Sequence, residues 1–224
     1  MKLYKFRPLG DDLSFCRAKE ILRTGEFWCS RFWELNDPME GVYSFTADDG
    51  VPIDDVFFHK AEQVICSFSG EKAFSNPAMW GYYANAFKGF AIEIEVPNDA
   101  AETMNYVKEV DHWPDMDASL SIDERVKKIL TTKLDRWKHE NESRFFCDSD
   151  HAEAKRIGKI TGIHFGDPYG KIENQNIILD RSQGLRTFRT QRSTLQALAE
   201  AQDIPWSFMT VSEGKVESEP AGAR

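Results

Sequence analysis

At 224 residues, with 41% hydrophobic and 29% charged side chains, the chain is long enough to bury a core and too apolar to be disordered. A net charge of −9 argues against a protein that coats nucleic acid without sequence preference. No apolar run approaches the roughly 18 residues that a membrane span needs, and the opening MKLYKFRPLGDD lacks the apolar stretch of a secretory leader, so no membrane contact and a cytoplasmic location are the expectation.

Residues 2–7, KLYKFR, alternate as a strand does, with Leu3, Lys5 and Arg7 on one face and Tyr4 and Phe6 on the other, and Pro8 ends the run. Phe15, Ala18, Ile21 and Leu22 keep helical spacing over 14–24, and Gly25 supplies the stop. A strand is predicted over 26–30, then a turn around Asn36, Asp37 and Pro38 and an acidic loop over 48–55. Residues 56–63 have a weak helical pattern, and the apolar run over 64–68, VICSF, suits a buried strand. A helix or turn over 76–86 leads through Lys88-Gly89 into FAIEIEV, the clearest strand pattern in the chain.

Ser121 followed by Glu124 is a capping box, and Ile122, Val126, Ile129, Leu130, Leu134 and Trp137 then keep an amphipathic helical period. Strands are predicted over 159–165 and 206–211 and a helix from Ser193 to Ala201, while 174–181 is ambiguous. The pattern reads as a single α+β domain over 1–211, a mixed or antiparallel sheet with flanking helices, followed by a disordered tail over 212–224.

Cys16, Cys29, Cys66 and Cys147 are widely spaced with no C-x-x-C pair, which favours buried free thiols over a metal site or disulfides. The charge is uneven, because 155–192 carries eight Lys or Arg against three Asp or Glu. Arg181, Arg186, Arg189 and Arg192 there either meet phosphates or form a solvated surface. The segment WKHENESRFF over 137–146 holds the densest set of candidate groups. In a strand, Glu140, Glu142 and Arg144 share one face, and two carboxylates about 7 Å apart cannot both be satisfied by one arginine. One is then left to act on a ligand, unless the segment is merely an edge strand with an ion pair.

Three segments in this order resemble the bacterial family filed as domain of unknown function 2971. They are LYKFR, LNDPMEG with MWGYYANAFKGFAIEIE, and the pattern K-x-x-x-W-x-x-E-x-E-x-R. The matching positions are Tyr4, Arg7, Asn36, Asp37, Pro38, Glu40, Trp80, Tyr83, Gly89, Glu93, Lys133, Trp137, Glu140, Glu142 and Arg144, within residues 3–166. The family association implies a role in bacterial conflict or phage defence.

In chain order, Arg7, Ser67-Phe68-Ser69 and Glu140-Asn141-Glu142 are also similar to the Arg-Ser-Glu class of ADP-ribosyltransferases, although the middle motif lacks the usual threonine. That resemblance implies an ADP-ribosyltransferase-like fold and NAD as substrate, with ADP-ribose passed to a protein or nucleic-acid acceptor or to water. Glu142 would stabilise the positive charge that develops on the ribose, and Glu140 would orient the acceptor. Arg7 would grip the pyrophosphate, Tyr4 would count among the cofactor-binding residues, Ser67 or Ser69 would hold the glutamate, and Trp80, Tyr82 or Tyr83 would stack on a ring. The plain competitors are an Arg7 ion pair with Glu40 or Glu142, serines that end a strand, core tryptophans and incidental histidines. Two rival functions remain: a metal-dependent nuclease or phosphodiesterase using Asp37, Glu93, Glu95 and Glu140, and a non-catalytic module that binds a nucleotide or protein.

Overall fold

The computed structural model describes residues 1–39, 41–43, 53–108, 119–149, 151–168 and 183–220. Glu40, most of the acidic loop over 48–55, the ambiguous 174–181 segment and Arg181 lie outside them. The protein is mixed α+β with mostly antiparallel pairing. Its contacts divide into two compact units, one of Met1–Glu26, Ser69–Pro97 and Arg156–Arg224, the other of Phe27–Phe68 and Asn98–Lys155. Each is assembled from stretches far apart in the chain, so the regular succession of strands and helices carries no mark of the division.

In the first unit, β4 (Phe90–Glu95) lies between β1 (Lys2–Arg7) and β10 (Lys159–Gly166), and β11 (Trp206–Ser212) and β12 (Lys215–Pro220) extend the sheet beyond β10. β1 pairs antiparallel with β4 from Lys2↔Glu95 to Arg7↔Phe90. A bulge between Ile160 and Gly162 interrupts the β4–β10 register and leaves Thr161 extra. β10 and β11 run parallel, which requires a crossover, and α6 (Gln183–Glu200) supplies it. That helix starts well before Ser193, the predicted cap, because Phe188, Gln191, Leu195 and Ala199 form one continuous buried stripe.

Helix α1 (Asp12–Thr24) begins with Asp11 accepting from the Ser14 amide and ends with Gly25 in the left-handed region, as the glycine stop predicted. It packs against α6, where Gln191 accepts from the Gly10 amide at 2.8 Å and donates to the Asp11 carbonyl at 3.3 Å. Two short helices, α3 (Glu71–Phe74) and α4 (Pro77–Tyr83), follow Ser69. They bury Ala73, Met79 and Trp80 with Tyr4, Phe6, Phe87, Ala91 and Met209 in one apolar cluster.

Within the tail expected to be disordered, residues 215–220 instead form β12, which pairs with β11 from Ser207↔Pro220 to Ser212↔Lys215. Little of KVESEP is buried, so composition gave no sign of it; the strand is held by its backbone ladder and by Val216 against the apolar cluster. Glu213 and Gly214, both at positive φ, close the hairpin with a pair of left-handed residues that suits the twist of the strands.

The second unit contains β2 (Phe27–Arg31) paired antiparallel with β3 (Gln63–Ser69) and with β9 (Glu153–Lys155). β8 (Glu142–Asp148) pairs with β3 and with β5 (Glu102–Thr103), while β6 (Asn105–Val107) and β7 (Thr132–Leu134) form a separate parallel pair. The last residue of β3, Ser69, belongs to the first unit, where it pairs with Tyr4. Helices α2 (Ile53–Glu62) and α5 (Ile122–Leu130) pack on each other over Val56, Ile65, Val126, Ile129 and Leu130.

The predicted capping box is present, with the Ser121 amide 2.9 Å from Glu124 Oε2 and the Glu124 amide donating to Ser121 Oγ. The helical period predicted through Trp137 stops at Leu130. Thr131 and Thr132 turn their hydroxyls onto the carbonyls of Lys127 and Lys128, and the following residues pair with β6. Leu134 is therefore a strand residue, and Trp137 lies in a 3-10 turn over Asp135–Glu140.

Gly89 joins α4 to β4, and a Cβ there would sit 2.1 Å from the Arg7 carbonyl oxygen, whereas one on the exposed helical Gly81 would meet nothing. Gly89→Ala should lower unfolding free energy by about 2 kcal/mol or more. Gly81→Ala should raise it by roughly 0.5 kcal/mol. Chemical denaturation of the two variants checks the contrast.

Candidate functional site

Asn141, in the left-handed region, caps the 3-10 turn just before β8, and the alternation of β8 sets Glu142, Arg144 and Phe146 on one face with Ser143, Phe145 and Cys147 on the other. Glu140 is the last residue of the 3-10 turn, not part of the strand. The two carboxylates nevertheless converge, because Lys133 on β7 bridges them, with Nζ 2.6 Å from Glu140 Oε2 and 3.0 Å from Glu142 Oε2. Arg144 grips Glu142 with two donors, Nε at 2.8 Å and Nη2 at 3.2 Å, and its Nη1 donates to the Leu130 carbonyl at 2.6 Å. The guanidinium thereby caps the C-terminal end of α5 and orients Glu142.

All four charged side chains are buried, Arg144 to 1% exposure. Tyr106 on β6 sits beside Lys133 in the parallel pairing and accepts from the Glu142 amide at 2.9 Å; burial pushes its phenol up to about 12. The Lys133 ammonium also lies over the Trp137 ring at 5.0 Å.

Burial alone would raise the Glu142 pKa. The charges of Arg144 and Lys133, with the Arg144 hydrogen bonds and a smaller pull from Ser67, outweigh it and hold the carboxyl at about 2. Burial likewise opposes the Lys133 charge, but Glu142 and Glu140 raise its pKa above the ordinary value. The result is a dry, charge-balanced set of two carboxylates and two cations, with a glutamate that stays ionised at neutral pH.

Of the residues singled out from the sequence, Glu140, Glu142 and Ser67 meet in this cluster, all within the second unit. Arg7, Tyr4, Ser69, Trp80 and Tyr83 belong to the first unit. Arg7 is half-buried at the end of β1, and Ser69 is buried opposite Tyr4. The ring-stacking role expected of Trp80 does not fit its surroundings. Its ring is fully enclosed, edge-on to Phe6 at 5.2 Å and stacked on Phe87 at 4.9 Å, with Nε1 donating to the Phe74 carbonyl. Tyr4 is likewise enclosed, stacked on Phe74 at 4.2 Å, and Tyr83 is partly buried against the same cluster. Tyr82 is the aromatic of α4 that reaches the surface.

Asp37 accepts from the Met39 amide at 2.9 Å, within the turn predicted around Asn36, Asp37 and Pro38. Among the described residues no group of three or more His, Cys, Asp or Glu is placed to hold a metal ion. Arg186 and Arg189 line a groove along α6, but Arg192 turns inward, with its guanidinium over Phe188 and Phe208 and 3.7 Å from Asp167. A cavity of about 660 Å³ in the second unit is lined by His59, Glu62, Asp123 and Lys127, among others, and not by Glu140 or Glu142.

A second polar cluster, in the first unit, was not anticipated. His164 on β10 lies with Nδ1 2.9 Å from Ser207 Oγ and Nε2 3.3 Å from Glu93 Oε2. Glu93 also accepts from the bulged Thr161 at 2.9 Å and pairs with Lys2 at 3.0 Å. Burial pushes the imidazole below its ordinary pKa, against the pull of Glu93, so near neutral pH the ring is uncharged. A carboxylate can only accept; Nε2 therefore carries the proton, and Nδ1 accepts from the Ser207 hydroxyl. The signal available in sequence was the strand positions of Glu93 and His164, but their meeting depends on the β4–β10 register.

No family model, curated protein or solved structure matches the chain. Among the described residues no helix is long and apolar enough to cross a membrane.

Arg144→Met leaves Glu142 buried without its bidentate partner and should lower stability by about 3–5 kcal/mol. Because the Glu142 pKa is depressed, its contribution is complete above pH 4.5 and is lost as pH falls toward about 2. The denaturation midpoint of the wild type should therefore fall across that window, and Glu142→Gln should flatten that part of the profile.

Proposed function

We propose that the protein is an ADP-ribosyltransferase-like enzyme that cleaves NAD, passing ADP-ribose to a protein or nucleic-acid acceptor or to water, with Glu142 as the carboxylate that stabilises the cationic ribose. The observation that carries this reading is the Glu142 carboxylate, buried and held ionised at about 2, with Ser67 among the groups that lower its pKa. Breaking a glycosidic bond needs an anion fixed at the sugar and not a proton donor, and a serine that orients the glutamate is the pairing expected from the Arg-Ser-Glu order. Glu140, joined to Glu142 through Lys133, takes the acceptor-orienting role in this proposal. An ADP-ribosyltransferase-like fold and the resemblance to domain of unknown function 2971 belong to the same proposal, as does a role in bacterial conflict.

The burial of Glu142 sets a condition on it. A ribose reaches the carboxylate only if the packing around it yields, and Lys133 and Arg144 reduce the field it offers a nascent cation. The same enclosure favours a second reading, a non-catalytic binding module in which the four charged groups only clamp β8 to α5.

Nicotinamide release from NAD by the purified protein separates the two. The first reading predicts release without added divalent metal, a loss of about a hundredfold in Glu142→Gln and a smaller loss in Ser67→Ala, with folding of each variant confirmed by circular dichroism. No release from the folded wild type, or equal release from Glu142→Gln, contradicts it.

A further inference from the structure

Glu93, His164 and Ser207 come from three neighbouring strands of the first unit, β4, β10 and β11. The register sets His164 directly opposite Ser207 in the parallel β10–β11 pair, and Glu93 opposite Gly162, two residues back along β10. His164 therefore meets Ser207 straight across and Glu93 on the diagonal, on one face of the sheet. Gly162 allows the diagonal reach. A Cβ there would lie 3.4 Å from His164 Nε2 and 3.6 Å from Glu93 Cβ, so a longer side chain would stand where the ring crosses. The bulge beside Gly162 presents Thr161, whose hydroxyl donates to Glu93 Oε1 at 2.9 Å, while Nε2 of His164 takes Oε2 at 3.3 Å. Both carboxylate oxygens are thereby held, and with them the plane of the imidazole.

The order of contacts is that of an activated nucleophile: a hydroxyl on a base, and the base on a carboxylate that fixes its tautomer. Ser207 Oγ lies 2.9 Å from Nδ1, the nitrogen that keeps its lone pair when Nε2 donates to Glu93. Glu93 is buried and His164 and Ser207 are half-buried, so the orienting group is innermost and the hydroxyl nearer to solvent. Lys2 and Tyr4 of β1 and Glu71 and Phe74 of α3 complete the surroundings. The Phe74 ring meets the imidazole edge-on at 4.7 Å, and Met209 Sδ is 3.9 Å from Ser207 Oγ. Apolar surface beside the hydroxyl suits an acyl group without charge.

We propose that Ser207 and His164 form a second active site, an acyl-transfer site that hydrolyses carboxylic esters with an uncharged acyl group, in which Glu93 is the positioning residue. Ser207 Oγ attacks the ester carbonyl carbon as its proton passes to His164 Nδ1. The tetrahedral species collapses, the bond to the leaving alcohol oxygen breaks, and that oxygen takes the proton from Nδ1. Water then attacks the Ser207 ester, giving a proton to Nδ1 that returns to Ser207 Oγ as the acid departs. One ester and one water yield one acid and one alcohol, and the site is restored. Burial keeps the imidazole uncharged near neutral pH, so the accepting lone pair is present throughout that range. The site shares no residue with the Glu142 cluster, so labelling at Ser207 and nicotinamide release stand or fall separately.

The test exposes the purified full chain to a fluorophosphonate, which bonds through phosphorus to an activated serine hydroxyl as fluoride leaves, and maps the adduct by mass spectrometry over a range of pH. The expected adduct is on Ser207 and forms faster as pH rises through a midpoint below 6.5, the ordinary histidine value. His164→Asn should slow it by about a hundredfold or more, and Ser207→Ala should abolish it, with folding checked by circular dichroism. Glu93→Gln should move the midpoint to lower pH, because the carboxylate raises the imidazole pKa, whereas a merely structural Glu93 leaves the midpoint in place. With p-nitrophenyl acetate the wild type should release a burst of nitrophenol equal to the protein concentration. No adduct on the folded wild type, an adduct on another serine, an unchanged rate in His164→Asn or an unmoved midpoint in Glu93→Gln overturns the proposal. If a variant does not fold, the wild-type adduct and its pH midpoint decide it.

Discussion

The second unit is organised around one ionised carboxylate. Glu142 is buried on β8, and an unpaired carboxylate there would cost several kcal/mol. Arg144 and Lys133 offset that cost, and each extends the consequence outward: Arg144 to the Leu130 carbonyl at the end of α5, and Lys133 to Glu140 in the 3-10 turn. The Tyr106 hydroxyl takes the Glu142 amide, which ties in β6 as well. A strand, a helix end, a turn and the β6–β7 pair are thus tied together by Glu142 and its two cationic partners. Replacing the set with apolar residues of similar volume would be tolerated or even stabilising in many folds, so its charged character asks for a use beyond stability. Chemistry on a developing cation is one such use.

The two polar clusters differ in how they treat water. The Glu142 set is enclosed and charge-balanced, and its internal charges interact strongly. The Glu93–His164–Ser207 set is partly covered, with Glu93 buried and Lys2, its ion-pair partner, largely exposed. Glu93 takes donors from Lys2, Thr161 and His164, and the bulge in β10 supplies the second of these. Burial pushes the Tyr4 phenol up to about 12, with Glu93 adding to the shift, so Tyr4 remains a donor at any physiological pH.

Local signals in the sequence translated well. The Ser121–Glu124 capping box, the Gly25 stop and the alternation of FAIEIE each depend on neighbours within a few residues, and each is present. Glu140, Glu142 and Arg144 were legible as a group for the same reason. Lys133 was visible as a matched position, but its bridging role needed the chain to leave the helix at Thr131, which the unbroken apolar period concealed. Strand β12 was hidden because a backbone ladder leaves no apolar signature, and His164 because a polar pair across strands depends on register. The cysteines illustrate the same limit. Their spacing showed no motif, and only the pairing of β2 with β3 brings Cys29 to Cys66.

The central claim is that Glu142 is a permanently ionised carboxylate within the folded protein. A carbon-13 titration of the side-chain carboxyls, comparing wild type with Glu142→Gln to assign the resonance, measures this directly. The account predicts a Glu142 signal that keeps the shift of a carboxylate from neutral pH down to about 2, or until the chain unfolds. A folded protein whose Glu142 titrates at 4.5 or above would contradict it.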